Sequence, residues 1–123
     1  LSINDVSVTE GNTGTVNATF TISLAGSVQG SFSVPVSSSD DTATVANNDY
    51  VAIAPATTVI FTGATNETRT ISVVVNGDTT VEPNEFFQVN LGAPNNGQVT
   101  VSDAQGIGTI TNDDIPSGAD KRR

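Results

Sequence analysis

The sequence predicts an antiparallel β-sandwich of about seven strands, and three observations support this fold class. Short runs rich in Val and Thr, in which apolar and polar residues alternate, recur every 10 to 15 residues or so along the chain. Turns rich in Gly, Asn, Asp and Ser separate these runs, and no segment has the period of an amphipathic helix. The length of 123 residues suits one domain with a core of its own.

The first three strands differ in how clearly they alternate. The first runs from Ile3 to Val8, and its inward-facing residues change phase across Asp5, which indicates a bulge or a change of partner strand. The second, from Val16 to Leu24, is the clearest half-buried strand in the sequence. The third covers Phe32 to Val36 and carries Pro35 on its other face, which indicates an edge position or a site that needs no ladder hydrogen bond.

The second half of the chain continues the pattern after a polar stretch that ends at Asp49-Tyr50. The pair Gly106 and Gly108 marks a close backbone approach or a bulge in the last strand. The apolar runs Val51–Ile53 and Thr57–Phe61 could be one interrupted strand or two short pieces, with the second run as the main strand. The remaining strands are Arg69–Val75, Glu85–Leu91 and a long, broken last strand made of Gln98–Val101 and Gly106–Ile110.

Composition excludes several classes of function. The chain has no Cys and no His, which rules out a disulfide framework or zinc ribbon and removes most nucleophile–base pairs. No apolar run approaches the roughly 20 residues of a membrane span, and no signal peptide is visible. The net charge is −9, and Arg69 is the one base before the C-terminal Lys121-Arg122-Arg123. So acidic a body disfavours nucleic acid and anionic lipid as partners and favours cations.

The acidic residues are expected to gather at one end of the sandwich, which we call the acidic pole. If each strand runs antiparallel to the one before it, the loops after the first, third and fifth strands meet there with the end of the seventh. The opposite loops then hold only Glu67, whereas acids placed for solubility should be spread over the surface. The acids assigned to the acidic pole are Glu10, Asp40, Asp41, Asp49, Asp78, Glu82, Glu85, Asp113 and Asp114.

Calcium is the cation that these side chains favour. It takes about six to eight oxygen ligands in a flexible geometry, whereas magnesium demands a stricter octahedron and zinc or copper would want His or Cys. Neither an EF-hand loop nor a glycine-rich nonapeptide repeat is present, so the site must be assembled from several loops.

Four motifs resemble the Calx-beta domain family, and together they cover residues 1 to about 114. They are Val8-Thr-Glu10-Gly-Asn12, Asp41-Thr-Ala43 followed by Asp49-Tyr50, Asp78-Thr-Thr-Val-Glu82-Pro-Asn-Glu85-Phe86, and Gly106-Ile-Gly-Thr-Ile-Thr-Asn112-Asp113-Asp114. The resemblance implies an immunoglobulin-like sandwich of the kind found in the regulatory part of sodium–calcium exchangers and in tandem repeats of extracellular and bacterial surface proteins. It also implies calcium binding at one pole, as in some members.

The resemblance assigns the metal ligands by motif position. The richest calcium binders of the family carry runs of aspartate where this chain has Asn76-Gly77 and Asn112, so we expect fewer ions, about one to three. The assigned ligands are Glu10, Asp41, Asp78, the carbonyl of Thr80, Glu82, Asp113 and Asp114.

Each acidic motif also has a structural interpretation. Asp78 and Glu82 could form a turn, and Asp113-Asp114 could be a solvated strand end. Asp40 is expected to be a neighbour of the ligand Asp41, and Glu85 to begin a strand on the surface or support a ligand. Asp49-Tyr50 is expected to fix a loop by side-chain hydrogen bonds, with the tyrosine ring on the sandwich edge.

These expectations define a non-enzymatic module over residues 1–115, followed by a linker or disordered tail at 116–123. The favoured function is a calcium-binding structural or adhesive repeat of a larger secreted or cell-surface protein, with neighbouring repeats of the same polypeptide as partners. One alternative is a calcium-sensing regulatory domain. Another is an ion-independent module that binds protein or glycan ligands through its loops. Enzymatic function is the weakest hypothesis, because no aromatic-lined cleft or second catalytic element accompanies the carboxylates.

Overall fold

The computed structural model describes residues 1–9, 14–46, 48–54, 56–77 and 84–111. Its described residues form strands and turns without a helix, which confirms the all-β fold class. No helix with the length and hydropathy of a membrane span occurs among them. The strands of the described residues are β1 (Ser2–Ile3), β2 (Val6–Thr9), β3 (Thr15–Ser23), β4 (Phe32–Asp40), β5 (Thr58–Phe61), β6 (Thr68–Asn76), β7 (Glu85–Leu91) and β8 (Gln105–Thr111).

Two sheets make up the sandwich. One has three strands in the order β1-β3-β6, and the other has five in the order β2-β8-β7-β4-β5. Every strand pair is antiparallel except β2 with β8. That parallel pair is what alternating strand direction requires, because β2 and β8 belong to the first and the seventh strand of the predicted series.

The predicted first strand changes sheet at Asn4-Asp5, which explains the change of phase there. β1 pairs with β3, and β2 pairs with β8 in the other sheet. Two side chains bond backbone amides at the crossing: Asn4 Oδ1 accepts from the Thr21 amide at 2.7 Å, and Asp5 Oδ1 accepts from the Ile107 amide at 2.9 Å. The predicted change of partner strand is therefore confirmed, and the seven predicted strands become eight.

Aromatic rings fill the core between the sheets. The rings of Phe20 and Phe87 pack edge to face, with their centroids 5.9 Å apart. The Phe87 ring also stacks on the Tyr50 ring, at a centroid distance of 4.6 Å. Phe32 stacks on Phe61 at 5.1 Å towards the other end of the sandwich. Burying each such side chain stabilises the fold by about 1.5–3 kcal/mol relative to leaving it exposed.

Two strand boundaries differ from the prediction by more than one residue. β4 continues beyond Val36 to Asp40, because its polar second half pairs with β7 through the backbone, from Val36 opposite Leu91 to Asp40 opposite Phe87. Residues 98–101 are not a strand, so the predicted first part of the last strand was wrong. Val99 and Val101 still pack against the core, and that contact accounts for their apolar pattern without a ladder.

Candidate metal centre

The described ends of six strands lie together at one end of the sandwich. Thr9, the last residue of β2, is opposite Thr111, the last residue of β8, and Thr15 at the start of β3 is opposite Asn76 at the end of β6. The ends of β4 and β7 join them, with Asp40 opposite Phe87 and Glu85 opposite Ile110. These ends flank every segment assigned a calcium ligand.

Of the assigned ligands, the structure describes Asp41. The others, namely Glu10, Asp78, Thr80, Glu82, Asp113 and Asp114, lie outside the described residues, and their ligand roles stay predictions. Within the described ranges, no group of three or more acidic side chains forms a potential metal cluster.

Asp41 is exposed and follows directly after β4. Its amide donates to the carbonyl of Ala43 at 3.2 Å, and the buried Ala43 in turn donates to the carbonyl of Phe86 at 2.8 Å. The turn is therefore tied to β7, while the Asp41 carboxylate accepts no hydrogen bond from the described residues. An exposed carboxylate on an anchored turn suits a calcium ligand, because it can bind in mono- or bidentate form.

Asp40, the last residue of β4, is also exposed, but its carboxylate is bound by groups of the same loop. Its Oδ1 accepts from the Tyr50 hydroxyl at 2.6 Å and from the Val45 amide at 3.1 Å. Burial raises the pKa of the Tyr50 hydroxyl well above its usual range, and the Asp40 carboxylate raises it further, against a smaller opposing contribution from Ser38. Tyr50 therefore stays protonated and donates to Asp40 throughout the physiological pH range.

Asp49 holds the loop that returns to Tyr50. It is buried, and its Oδ2 accepts from the Thr44 amide at 3.0 Å. The end of β6 bonds the same loop: the Asn76 amide donates to the Asp49 carbonyl at 3.1 Å, and Asn76 Nδ2 donates to the Asn48 carbonyl at 2.9 Å. These bonds agree with the loop-fixing role predicted for Asp49-Tyr50.

The predicted position of the Tyr50 ring was wrong. The ring lies in the core, 2% exposed and stacked on Phe87, instead of covering the sandwich edge. The reason is the isolated bridge that pairs Tyr50 with Val75, which brings the residue alongside β6 and turns its side chain between the sheets.

Sequence reasoning also missed two hydroxyl groups that hold this end of the molecule. Thr42 Oγ1 accepts from the Phe86 amide at 2.8 Å, and Ser38 Oγ accepts from the Ile53 amide at 2.9 Å. In a sequence rich in Ser and Thr, no local pattern distinguishes a hydroxyl that bonds a remote backbone amide from one that faces water.

This architecture is similar to that of proteins of known family and structure. The family model of the Calx-beta domain matches residues 2–114. The crystal structure of the apo form of the Calx CBD1 domain superimposes with a TM-score of 0.67 at 21% identity, over 92% of this chain and 97% of that one. The Calx CBD2 domain gives a TM-score of 0.63 at 14% identity, over 89% and 83%.

A longer chain is also similar. The crystal structure of the calcium binding domain CBD12 of CALX1.1 gives a TM-score of 0.67 at 20% identity over 93% of this chain, which spans 47% of that one. No curated protein sequence matches. At these identities the structural likeness establishes the fold, and the family model covers nearly the whole described sandwich. The chain belongs to the Calx-beta domain family.

Proposed function

We propose that this domain binds calcium at its acidic pole and serves as a structural repeat of a larger secreted or cell-surface protein. The observation that carries the proposal is the meeting of six strand ends at one end of the sandwich, with the exposed Asp41 among them. One of the similar solved structures is named a calcium binding domain.

The ligands would come from four places in the chain. Asp41 would supply its carboxylate from the end of β4, and the remaining assigned ligands follow β2, β6 and β8 in sequence. Bound calcium would neutralise the mutual repulsion of these carboxylates and so stabilise the loops that carry them. This chain's own contribution is the anchored turn at 41–43, which holds one carboxylate in place before an ion arrives.

The first test is calcium titration by calorimetry and thermal melting. The melting temperature should rise with calcium concentration, because a ligand that binds only the folded state adds about 2.7 kcal/mol at 100 times its Kd. Asp41→Ala and the double variant Asp78→Ala with Glu82→Ala should abolish or strongly reduce this rise.

Asp103→Asn is the matched control. It removes one negative charge just before β8, at the opposite end of that strand from Thr111, and it keeps an oxygen that can accept from the Gln105 amide as Asp103 Oδ1 does at 3.2 Å. Its calcium response should equal that of the unmodified domain. Identical melting temperatures in calcium and in chelator for the unmodified domain would refute calcium binding.

The structural role predicts an effect at the junction between repeats. β1 starts near the end opposite the acidic pole and β8 ends at the pole, so a repeat that follows would lie beside the bound ions. Calcium should therefore lengthen and stiffen a protein of two tandem copies, measured by small-angle scattering. A calcium-driven loop rearrangement within one copy, with an unchanged junction, would instead support the calcium-sensing alternative.

A further inference from the structure

Asp40 and Asp41 are neighbours in sequence and both exposed, but they differ in their hydrogen bonds. Asp40, the last residue of β4, lies opposite Phe87 of β7, and its carboxylate accepts from the Tyr50 hydroxyl and the Val45 amide. The carboxylate of Asp41 accepts no hydrogen bond from the described residues, so it is available to a ligand.

The Asp40 carboxylate is held by a residue that is itself fixed in the core. The Tyr50 ring is 2% exposed and stacks on Phe87, and its hydroxyl lies 2.6 Å from Asp40 Oδ1. The backbone of Tyr50 is tied to β6 through its bridge to Val75 and the bond from the Val51 amide to the Val74 carbonyl, at 2.9 Å. Tyr50 thus connects the end of β4 to the core and to the other sheet.

Hydrogen bonds within the loop extend this connection across residues 40–50. The Val45 amide donates to Asp40 Oδ1, and Thr44 and Asp49 exchange two bonds: the Thr44 amide donates to Asp49 Oδ2 at 3.0 Å, and the Asp49 amide donates to the Thr44 carbonyl at 3.1 Å. The exposed Asp40 and the buried Asp49 both accept hydrogen bonds from donors of the same loop. Of the three acids in this loop, Asp41 is the one whose carboxylate accepts no hydrogen bond from a described residue.

We propose that Tyr50 is a positioning residue for calcium, acting through Asp40 to fix the turn from which Asp41 presents its carboxylate. The pair is called the Tyr50–Asp40 latch. This inference rests on the proposed calcium binding and adds to it a residue that touches no ion. Its physical basis is preorganisation: a ligand that is already held in place loses less conformational freedom when the ion binds.

The test compares calcium affinity with stability in matched variants. Tyr50→Phe removes the hydroxyl and keeps the stacked ring, and Asp40→Ala breaks the same bond from the other side. Each should weaken calcium binding about three- to tenfold by calorimetry, the range expected from losing the net contribution of one ordinary hydrogen bond. Phe32→Leu, a core change far from the acidic pole, should lower the melting temperature and leave the calcium Kd unchanged.

A double-mutant cycle tests whether the two residues act through their shared bond. If they do, Tyr50→Phe should weaken calcium binding little further once Asp40→Ala is present. Additive losses of affinity would show that the two residues act independently, and they would overturn the latch.

A readout without calcium completes the test. In chelator, amide hydrogen exchange at Val45, whose N–H donates to Asp40, should accelerate in Tyr50→Phe, while exchange at Val73 in the core should not.

If the unmodified domain binds calcium and Asp41→Ala does not, an unchanged Kd in Tyr50→Phe refutes the latch alone. If the unmodified domain shows no calcium binding, the proposed function and the latch both fail.

Discussion

At the scale of single residues, the packing around Phe87 depends on a glycine in the next strand. Gly108 of β8 lies opposite Phe87 of β7, and a Cβ atom on Gly108 would overlap the Phe87 ring. Gly106 lies similarly close to the backbone of Asn4, because a Cβ atom on Gly106 would be 2.5 Å from the Asn4 carbonyl oxygen. The close approach predicted from these two glycines is confirmed.

Gly108→Ala should lower the free energy of unfolding by about 1–3 kcal/mol or more, because the added methyl group must displace the ring that also stacks on Tyr50. Urea denaturation measures the change through its midpoint. Gly97→Ala is the control, since a Cβ there meets nothing within 4 Å. Equal midpoints for the two variants would show that the core can accommodate the methyl group.

The bond between Asp40 and Tyr50 shows where sequence reasoning stops at this scale. The polar run after Val36 predicted a loop, whereas β4 continues to Asp40 and leaves its side chain exposed at the end of the strand. The fold brings the Tyr50 hydroxyl to this carboxylate from ten residues further along the chain. That contact is not encoded in the residues around Asp40.

At the scale of elements, Arg69 lies on the side of the sandwich where β5 and β6 are the edge strands of their sheets. Arg69 Nε donates to the Ile60 carbonyl at 3.0 Å, Nη1 donates to the Thr68 carbonyl at 2.9 Å, and the guanidinium lies 5.8 Å from the Phe61 ring centroid. A charged group on exposed edge carbonyls discourages pairing with another chain. Arg69 itself is held by an ion pair with Glu67.

Glu67 should make the stability of this edge sensitive to acid. Burial acts to raise the pKa of Glu67, but bonds from the Thr62 and Gly63 amides and the Thr62 hydroxyl, together with Arg69, outweigh it and hold the pKa below its usual value. The stabilisation is therefore complete above the unfolded-state pKa of about 4.3, and it is lost as pH falls through the lower folded-state value.

Glu67→Gln tests this contribution by urea denaturation between pH 7 and pH 3. The variant should be less stable than the unmodified domain at pH 7, and the difference should narrow in acid, where the glutamate is itself protonated. A difference between the two proteins that stays constant from pH 7 to pH 3 would contradict the assigned role of the ionised carboxylate.

At the scale of the whole molecule, strand direction could be predicted by counting strands. The division of the first strand does not disturb this count, because β1 and β2 follow one another in the same direction and leave the alternation intact. The strand ends at the acidic pole followed from that alternation. The assignment of each strand to one of the two sheets could not be predicted in this way, because every strand has a similar Val- and Thr-rich pattern that suits either sheet.

The parallel pairing of β2 with β8 has a mechanical consequence. Four residue pairs join the strands, from Val6 with Gly108 to Thr9 with Thr111. Tension applied between the start of β2 and the end of β8 would pull the two strands along each other, so the load falls on all four pairs together instead of opening them one by one. Such a shear arrangement resists stretching, and it would let a chain of these domains transmit force without unfolding first at its ends.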